Sequence, residues 1–374
     1  MTTVISIISY PFLPAKVGGQ KGVALFNAYF GRYVNLVCVT TRKNDPREAK
    51  GYELLNILSD SLLRYINPFY FFKVRKIIKQ KKATFLLLEH PYYGWLGILL
   101  KWFCGIRLIV HSHNIEGLRW KAMGKWWWPI LWRYEQFTHR QADFNFFIHD
   151  EDREYAIREF GLRPEKCITM TYGIEWDRIP TAERISACRE EIRTRYQAGP
   201  GETLLFFNGA FNYRPNLKAL RIIMDTLNPL LQEQTRFLYK IIICGRDIPA
   251  EISNQKLPNL IFAGFVDDID SYFQGTDIFL NPITEGGGIK TKLVEALGNN
   301  LNAVSTRTGA IGIDPSWCNG KLLLCEDGDW VEFVNLILQA SSYKADIPKA
   351  YFDQFYWVNT TKRAAGFIQG KIAF

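Results

Sequence analysis

The chain has 374 residues, of which 48% are apolar, and a formal net charge of +9. This length is typical of two domains, and the apolar content excludes an intrinsically disordered chain. The longest apolar stretch, from Trp95 to Val110, is interrupted by Lys101 and Arg107, so that no segment reaches the roughly 18 apolar residues of a membrane span.

The positive charge is concentrated in the first half of the chain. Residues 1–175 contain 25 Lys and Arg against 15 Asp and Glu, whereas residues 176–374 contain 21 against 22. A basic half is suited to nucleic acid, to an anionic membrane or to a phosphorylated acceptor. The seven cysteines are scattered without a C-x-x-C pair, which fits a reducing cytoplasm and argues against zinc or a disulfide framework.

The first half contains short apolar segments that predict strands. The first of them, at the N-terminus, lacks the basic start of a signal peptide and predicts a buried strand. Continuous rather than alternating apolar segments, each followed by a helical pattern, predict a parallel sheet that is covered on both faces. The predicted strands are TVISIIS, NLVCVT, TFLLLE, RLIVH, FNFFIH and CITMTY.

Two adjacent glycines, Gly18 and Gly19, follow the first predicted strand. Glycine lets the backbone approach a ligand closely, so we expect this loop to contact a ligand. The spacing is not G-x-G-x-x-G, and the loop therefore carries no dinucleotide fingerprint.

The predicted strand RLIVH ends in the polar sequence HSHNIEGLR. His113, followed by Asn114, is the predicted functional histidine, and His111 is the alternative. One histidine at a strand end is often structural, but two of them with an asparagine and Glu116 favour a function. A metal site would need a third ligand, which the sequence does not supply, and we expect no metal.

The segment from Trp95 to Arg133 holds seven of the eleven tryptophans, six basic residues and a single acid, Glu116. Three interpretations are open. Aromatic and basic residues together are typical of a membrane-interface surface, where a lipid-linked acceptor would dock. The tryptophans could equally be packed in a core, and aromatic-basic surfaces also bind single-stranded nucleic acid.

The second half repeats the alternation of apolar segments and helical patterns. The fold class is therefore α/β, with two doubly wound, Rossmann-like domains that face a central cleft, the default place for a ligand. We predict a first domain over 1–173, a second over 174–352, and a C-terminal helix over 353–374 that packs back toward the first. The predicted strands of the second domain are TLLFFN, YKIIIC, NLIFAG, DIFLNP, NAVSTR and KLLLC.

The most informative segment is TEGGGIKTKLVEAL, residues 284–297. Three glycines follow a predicted strand and precede a helix that we expect to begin near Gly288 or Ile289. A glycine backbone and the N–H groups of a helix N-terminus bind anions such as phosphate. Positions 288, 292 and 295 would share one helical face, so that Lys292 reaches a phosphate and Glu295 a ribose hydroxyl. The structural alternative is a tight turn followed by a solvated helix face.

The sequence Asp327-Gly-Asp329 has the form of a metal-binding D-x-D. It lies in a predicted turn before a helix, where aspartates accept hydrogen bonds from turns and helix N-termini. We therefore interpret it as a turn and a helix cap.

EGGGIKTKLVEALGNNLNAVSTRTGAIGI resembles the donor-binding segment of retaining GT-B glycosyltransferases of family 4. SYPFLPAKVGG resembles the N-terminal Gly-Gly loop of that family, and FNGAFNYRPNLKAL resembles the first loop of its donor domain. The resemblance covers nearly the whole chain and is strongest from about 167 to 335. It implies a GT-B fold, with the nucleotide sugar bound in the C-terminal domain.

The resemblance also implies the parts of a donor site. Lys292 is expected near the diphosphate with Arg214 and Lys218, so that cations rather than a metal stabilise the leaving group. Glu295 is expected at the ribose and Glu285 at the donor sugar, although the two glutamates are ten residues apart, further than in the family. The other expected donor contacts are Gly18, Gly19, Gly209, Gly286, Gly287, Gly288, Ile289, Lys290, Thr291, Phe265 and Val266.

In the first domain, the resemblance implies that His113 positions the donor sugar. His113 thus joins Glu285, Arg214 and Lys292 as the predicted catalytic residues. The predicted acceptor contacts are Asn114, Glu116 and Arg119.

The expected activity is transfer of a sugar from a nucleotide-diphosphate sugar to a glycan or lipid-linked acceptor, with retention and without metal or cofactor. The expected setting is bacterial surface polysaccharide or lipopolysaccharide biosynthesis, in the cytoplasm at the inner face of an anionic membrane. Nucleic acid is not an expected partner. The alternatives are a nucleotide-sugar-binding GT-B protein without transferase activity and a GT-B nucleotide-sugar epimerase.

Overall fold

A computed structural model describes residues 1–15 and 18–370 of the chain. The chain divides into two compact units. Unit 1 comprises Met1–Glu175 and the segment that begins at Phe355, and unit 2 comprises Trp176–Gln354. Each unit contains one parallel sheet, as the continuous apolar segments predict.

In the described part of unit 1, the sheet has seven strands: β1 (Thr3–Ile8), β2 (Asn35–Thr41), β3 (Glu53–Leu58), β4 (Phe85–Glu89), β5 (Arg107–Ser112), β6 (Phe144–Phe147) and β7 (Cys167–Thr169). Their spatial order is β3-β2-β1-β4-β5-β6-β7. The sequence patterns predict all of these strands except β3. That strand lies at the edge of the sheet and is only partly buried, so its sequence lacks a continuous apolar run.

Helices cover this sheet: α1 (Gly18–Phe30), α2 (Phe69–Lys81), α3 (Gly94–Cys104), α4 (Glu116–Ala122), α5 (Trp128–Gln141) and α6 (Asp150–Phe160). The helices α3 and α6 end at Gly105 and Gly161, whose φ angles of 64° and 66° are left-handed and suit glycine. Every residue of β4 is buried, because side chains from helices pack on both faces of the central strands.

The sheet of unit 2 consists, among the residues described, of β8 (Thr203–Ala210), β9 (Tyr239–Arg246), β10 (Leu260–Gly264), β11 (Ile278–Asn281), β12 (Asn302–Thr306) and β13 (Leu322–Cys325). The spatial order is β10-β9-β8-β11-β12-β13, and all six strands match predicted segments. From β8 the chain adds strands toward one edge of the sheet, and from β11 it adds them toward the other edge. In open sheets of this kind, ligands bind at the position between two such strands.

The helices of unit 2 are α7 (Ala182–Arg195), α8 (Arg214–Ile222), α9 (Asn228–Gln232), α10 (Ala250–Ser253), α11 (Ile269–Gly275), α12 (Thr291–Gly298), α13 (Trp330–Ser342) and α14 (Lys349–Phe355). The side chain of Asp329 accepts a hydrogen bond from the backbone N–H of Glu332 and caps α13. Asp327 accepts one from the N–H of Thr308 at 3.1 Å. The interpretation of this pair as turn and cap residues is therefore confirmed.

The chain returns to unit 1 through α15 (Trp357–Ile368). Ile174 forms a parallel bridge with Tyr356 at the start of this helix. Further along it, the ring of Phe367 lies 5.2 Å from that of Phe144 on β6. The C-terminal helix predicted over 353–374 is thus observed as the end of α14 followed by α15, and residues 371–374 lie outside the described residues.

The tryptophan-rich segment is partly packed and partly exposed. The indole N–H of Trp95 donates to the carbonyl of Tyr65 at 2.7 Å, and that of Trp132 donates to the hydroxyl of Tyr155 at 3.0 Å. In contrast, Trp102 and Trp126 are 62% and 83% exposed. Some of these tryptophans are therefore packed and others are exposed, and the membrane role of the exposed ones stays a prediction.

None of the helices in the described residues combines the length and apolar character that a membrane span requires.

Candidate active site

The glycine loop of unit 2 connects β11 to α12. Gly286 and Gly288 have φ angles of 90° and 71°, in the region that glycine adopts without strain. The amino group of Lys290 donates to the carbonyls of both glycines, at 3.0 and 2.7 Å. Because Lys290 itself is extended, α12 begins at Thr291, and the predicted start near Gly288 or Ile289 is wrong.

The later helix start changes which residues share a face. Gly288 lies outside α12 and does not belong to the predicted face. Lys292 and Glu295 remain one turn apart on the helix, so their side chains lie on the same side. The loop and the first turn thus keep the predicted order of glycine, lysine and glutamate.

Lys292 is held inside the loop region by neutral groups. Its amino group donates to the carbonyl of Asn208 at 3.1 Å and to the side-chain oxygen of Asn216 at 2.9 Å. It also lies 4.1 Å from the centre of the Phe207 ring. Burial, with repulsion from Lys290, lowers the pKa of Lys292 well below its usual range. In the described part of the chain, no carboxylate forms an ion pair with this lysine.

Asn216 joins the two loops that the sequence assigns to the donor site. Its amide nitrogen donates to the carbonyl of Ala210 at 3.0 Å, while its oxygen accepts from Lys292. A side chain at Gly209 would lie 2.9 Å from that amide nitrogen, so the close approach requires glycine. Asn208 and Asn216 are not among the predicted residues, although both belong to the quoted motif FNGAFNYRPNLK.

The predicted residues Glu285, Arg214 and Lys218 lie together. The carboxylate of Glu285 accepts from the amino group of Lys218 at 2.7 Å, and the guanidinium of Arg214 lies 3.4 Å away. The hydrogen bond from Lys218 lowers the pKa of Glu285. All three side chains are substantially exposed to solvent, where such pairs contribute little stability and can exchange partners.

The remaining predicted donor contacts lie around these two loops. Ile289 and Thr291 are half-buried beside the exposed Gly287. Phe265 and Val266 follow β10 at the neighbouring carboxyl end, and the Phe265 ring is exposed. These positions are compatible with the predicted contacts, which stay predictions.

In unit 1, Gly18 and Gly19 are the first residues of α1. The first N–H groups of a helix have no partner within the helix. A side chain at Gly19 would meet no atom within 4 Å, so this residue is not required by packing. The predicted phosphate or sugar contact remains a prediction for both glycines.

His113 belongs to a buried cluster at the carboxyl ends of β4 and β5. Glu89, the last residue of β4, is paired in register with His111 on β5. One oxygen of its carboxylate is 3.1 Å from Nδ1 of His111 and 2.7 Å from Nε2 of His113. The carboxylate has no exposed surface, whereas the His113 side chain is 19% exposed.

A second cluster lies beside the first. The carboxylate of Glu116 accepts a hydrogen bond from the Tyr92 hydroxyl at 2.6 Å. It also lies 3.3 Å from Nδ1 of His90 and 3.2 Å from the guanidinium of Arg119. Burial raises the pKa of Glu116, but His90, Tyr92 and Arg119 together lower it to about 2. Of the predicted acceptor contacts, Glu116 is thus buried, and Arg119, with which it forms an ion pair, is exposed.

The backbone that carries these groups is held by Glu135 on α5. Its two carboxylate oxygens accept from the N–H groups of Glu116 and Gly117, both at 2.9 Å. Burial raises the pKa of Glu135 to about 8 despite these two donors. The carbonyl of Asn114, another predicted acceptor contact, accepts from the hydroxyl of Ser112 at 2.7 Å.

Glu89 is a third residue that could bind a metal ion together with His111 and His113, and the sequence analysis does not find it. Its oxygen and one nitrogen each of His111 and His113 lie within 4.8 Å of one another, so the three residues could bind a metal ion. The prediction of no metal remains untested. One signal in the sequence could have identified Glu89. Glu89 and His90 stand at the end of the predicted strand TFLLLE, and the carboxyl ends of parallel strands lie along one edge of the sheet, where His111 and His113 are also expected.

Two family models match different parts of the chain. The model described as Glycosyltransferase Family 4 matches residues 30–178, and the model described as Glycosyl transferases group 1 matches residues 202–342. The chain belongs to the GT-B glycosyltransferases of family 4. This glycosyltransferase has no match among curated protein sequences.

Solved structures of distant sequence share the fold of this glycosyltransferase. A glycosyltransferase from Rickettsia africae is 12% identical over 99% of this chain and 98% of its own, with a TM-score of 0.73. HepE from Anabaena, solved with UDP, is 13% identical over 99% and 100%, with a TM-score of 0.72. WaaG, a glycosyltransferase involved in lipopolysaccharide biosynthesis, is 16% identical over 98% and 100%, with a TM-score of 0.65.

Glu135 predicts a pH dependence of stability. Its folded-state pKa of about 8 exceeds that of an unfolded glutamate, roughly 4.3. At pH values between these two pKa values, Glu135 is protonated in more of the folded molecules than of the unfolded ones. The free energy of unfolding therefore falls as the pH rises, by up to about 1.4 kcal/mol per pH unit. We expect Glu135→Gln to remove this fall, measured as melting temperature from pH 5 to 9.

The matched control is Glu154→Gln on α6, an exposed carboxylate that is 60% accessible. It should leave the pH dependence of the wild type in place. Parallel curves for the wild type and Glu135→Gln, separated only by a constant offset, would contradict the raised pKa.

Proposed function

We propose that the glycosyltransferase transfers a sugar from a nucleotide-diphosphate sugar to a glycan or lipid-linked acceptor with retention of configuration. The observation that carries this proposal is Lys292, a half-buried lysine at the start of α12 whose described partners are neutral. An anion such as a diphosphate would supply the missing negative charge, and the adjacent glycine loop gives it room.

Solved relatives support the class of donor. HepE has been solved with UDP, with UDP and glucose, and with UDP-glucose. WaaG and the galactosyltransferase WaaB act in lipopolysaccharide biosynthesis. A role in assembling bacterial surface polysaccharide or lipopolysaccharide is proposed for this chain on that basis.

Each group of unit 2 has a proposed part in the reaction. Lys292 stabilises the charge that develops on the leaving diphosphate, and Arg214 and Lys218 add further positive charge once the anion competes with Glu285 for them. Glu295 accepts hydrogen bonds from the ribose hydroxyls. These cations fill the role that a metal ion has in other phosphate chemistry, so the proposed reaction needs no metal.

Retention requires that the acceptor approaches the face that the diphosphate leaves. The bond from the anomeric carbon to the phosphate oxygen breaks, a bond to the acceptor oxygen forms, and the acceptor proton passes to the departing phosphate. We expect the first product from an α-linked donor to be an α-glycoside, read from its anomeric coupling by proton NMR. A β-linked first product would overturn the proposal of retention.

Loss of Lys292 should weaken binding of the nucleotide. We expect one of UDP, GDP, ADP or CMP, or its sugar conjugate, to raise the melting temperature of the purified protein. Lys292→Ala should lower the affinity at least about tenfold, because a half-buried, charge-assisted contact to the diphosphate is lost. A thermal-shift titration with each nucleotide measures the effect.

The control for this substitution is Lys256→Ala, which removes the same charge from an exposed position of unit 2. It should leave nucleotide binding unchanged. Binding without turnover of the sugar would favour a GT-B protein that only binds nucleotide sugars, and conversion of one nucleotide sugar into another would favour an epimerase. Absence of any nucleotide effect on the folded protein would overturn the donor site.

Unit 1 is the proposed docking surface for an anionic membrane that carries the acceptor. The exposed side chains of Trp102, Phe103, Trp126, Ile130 and Phe137 lie on or next to α3 and α5. Large apolar side chains beside basic residues are typical of surfaces that rest in a membrane interface.

The helix α2 extends this surface beyond the tryptophan-rich segment. Phe69 and Phe72 are 68% and 64% exposed, and Lys73, Lys76 and Lys79 are also exposed on the same helix. The rings of Phe71 on α2 and Phe103 on α3 are 5.7 Å apart, which makes the exposed residues of the two helices neighbours. Apolar anchors and cations together favour an anionic lipid surface.

The double substitution Trp102→Ala/Trp126→Ala should weaken membrane binding. Each exposed indole contributes apolar contact with the membrane interface. We therefore expect the double variant to bind vesicles with a roughly tenfold weaker affinity than the wild type, as calculated from the bound fraction. Co-sedimentation with vesicles of phosphatidylglycerol measures it. Vesicles of phosphatidylcholine alone should bind more weakly, because they lack the negative charge.

Leu238→Ala is the control, since it removes an exposed apolar side chain from unit 2. It should not change vesicle binding. Equal binding to both lipids, or no effect of the double substitution, would count against this surface. Tighter binding to single-stranded nucleic acid than to vesicles would favour the nucleic-acid interpretation of the tryptophan-rich segment.

A further inference from the structure

Glu89 is a carboxylate buried among imidazoles. Its contacts are Nδ1 of His111 and Nε2 of His113, at 3.1 and 2.7 Å from the same oxygen. No Lys or Arg is within ion-pair distance of it in the described residues. Both contacts are within hydrogen-bond distance, which suits a carboxylate that accepts from both rings.

An ionised carboxylate only accepts hydrogen bonds. The Nε2 of His113 must therefore carry a proton in order to contact Glu89 at 2.7 Å. In a neutral imidazole the other nitrogen is then an acceptor. Among the described residues, Nδ1 of His113 has no hydrogen-bond partner, and part of the side chain is exposed. His113 thus has one nitrogen committed to the protein and one available to a ligand.

Neighbouring rings restrict the orientation of His113. The centre of its ring lies 4.4 Å from that of His90 and 4.6 Å from that of His111. His90 has a φ of 67°, which is rare and costly for a residue with a side chain. Strain of this kind persists only where the surrounding structure enforces it, and here it places an imidazole against His113.

We propose that Glu89 is a positioning residue that fixes His113 with Nε2 protonated, so that Nδ1 accepts a hydrogen bond from a saccharide hydroxyl. The saccharide part of this inference rests on the proposed function, whereas the tautomer does not. The hydroxyl belongs either to the sugar of the donor or to the acceptor. Without Glu89, the imidazole is free to present an N–H instead of a lone pair at the same position.

The tautomer is directly measurable. The chain contains five histidines, and a long-range proton–nitrogen correlation spectrum of the labelled protein gives each one a pattern that depends on which nitrogen carries the proton. His113→Gln identifies the pattern of His113 by its disappearance. We expect the wild-type pattern of a neutral ring with a proton on Nε2.

Two substitutions at Glu89 test the cause. Glu89→Ala removes the acceptor, and we expect the single pattern of His113 to be replaced by a mixture of tautomers. Glu89→Leu also lacks an acceptor but keeps a side chain of similar size, so that the pattern of His113 must change in the same way. The control is Glu135→Gln, which alters a buried carboxylate that accepts from the backbone N–H groups of Glu116 and Gly117. It should leave His113 unchanged.

The positioning role is overturned if the wild-type His113 carries its proton on Nδ1. It is also overturned if His113 is unchanged in Glu89→Ala. Should that variant fail to fold, an unchanged pattern of His113 in Glu89→Leu overturns it equally.

Added ligands distinguish the source of the hydroxyl. With UDP-glucose as probe, a shift of the His113 Nδ1 resonance that UDP alone does not cause supports the donor sugar. A shift caused by free glucose supports an acceptor saccharide. No shift with either, in a protein whose melting temperature UDP raises, overturns the saccharide contact. Failure of every nucleotide to bind counts against the proposed function, while the tautomer measurement still decides the role of Glu89.

Discussion

Parallel pairing of strands is the constraint on which the chemistry of both units depends. Because the strands of each sheet run in one direction, their carboxyl ends lie along a single edge, and the loops that leave this edge bring distant residues together. In unit 1 this edge brings Glu89 to His111 and His113. In unit 2 it brings Asn208 to Lys292, across 84 residues of chain. The buried strand interiors supply the stability that the polar edge does not.

The two units treat buried charge in opposite ways. In unit 1 each buried carboxylate is surrounded by groups that can donate hydrogen bonds, so the negative charge of Glu89 and Glu116 is compensated inside the protein. In unit 2 a lysine is surrounded by carbonyl and amide oxygens that carry only partial charge. Several close donors around a carboxylate make a cluster self-contained, whereas a cation that is met only by neutral oxygens still favours a nearby anion.

The sequence predicts much of this protein, and the reasons for its failures are physical. Continuous apolar segments identify every strand that is buried on both faces, and they miss β3 because an edge strand needs no such run. The glycines correctly mark a loop between β11 and α12, whose ligand stays a prediction, but the start of α12 depends on the extended backbone of Lys290, which no residue pattern encodes. Asn216 and Glu89 were not predicted, because their roles arise from the register between strands and loops that are far apart in the chain.

If the proposed function is right, the neutral surroundings of Lys292 couple the occupancy of the donor site to the proton concentration. A lysine whose pKa is lowered by burial holds its proton weakly until an anion lies beside it, and the anion then raises the proton affinity. Arrival of a nucleotide at this proposed site would therefore be accompanied by net uptake of protons from the buffer, and its departure would release them. By the same linkage, the affinity for the nucleotide declines as the solution becomes more alkaline, and the heat of binding varies with the ionisation enthalpy of the buffer.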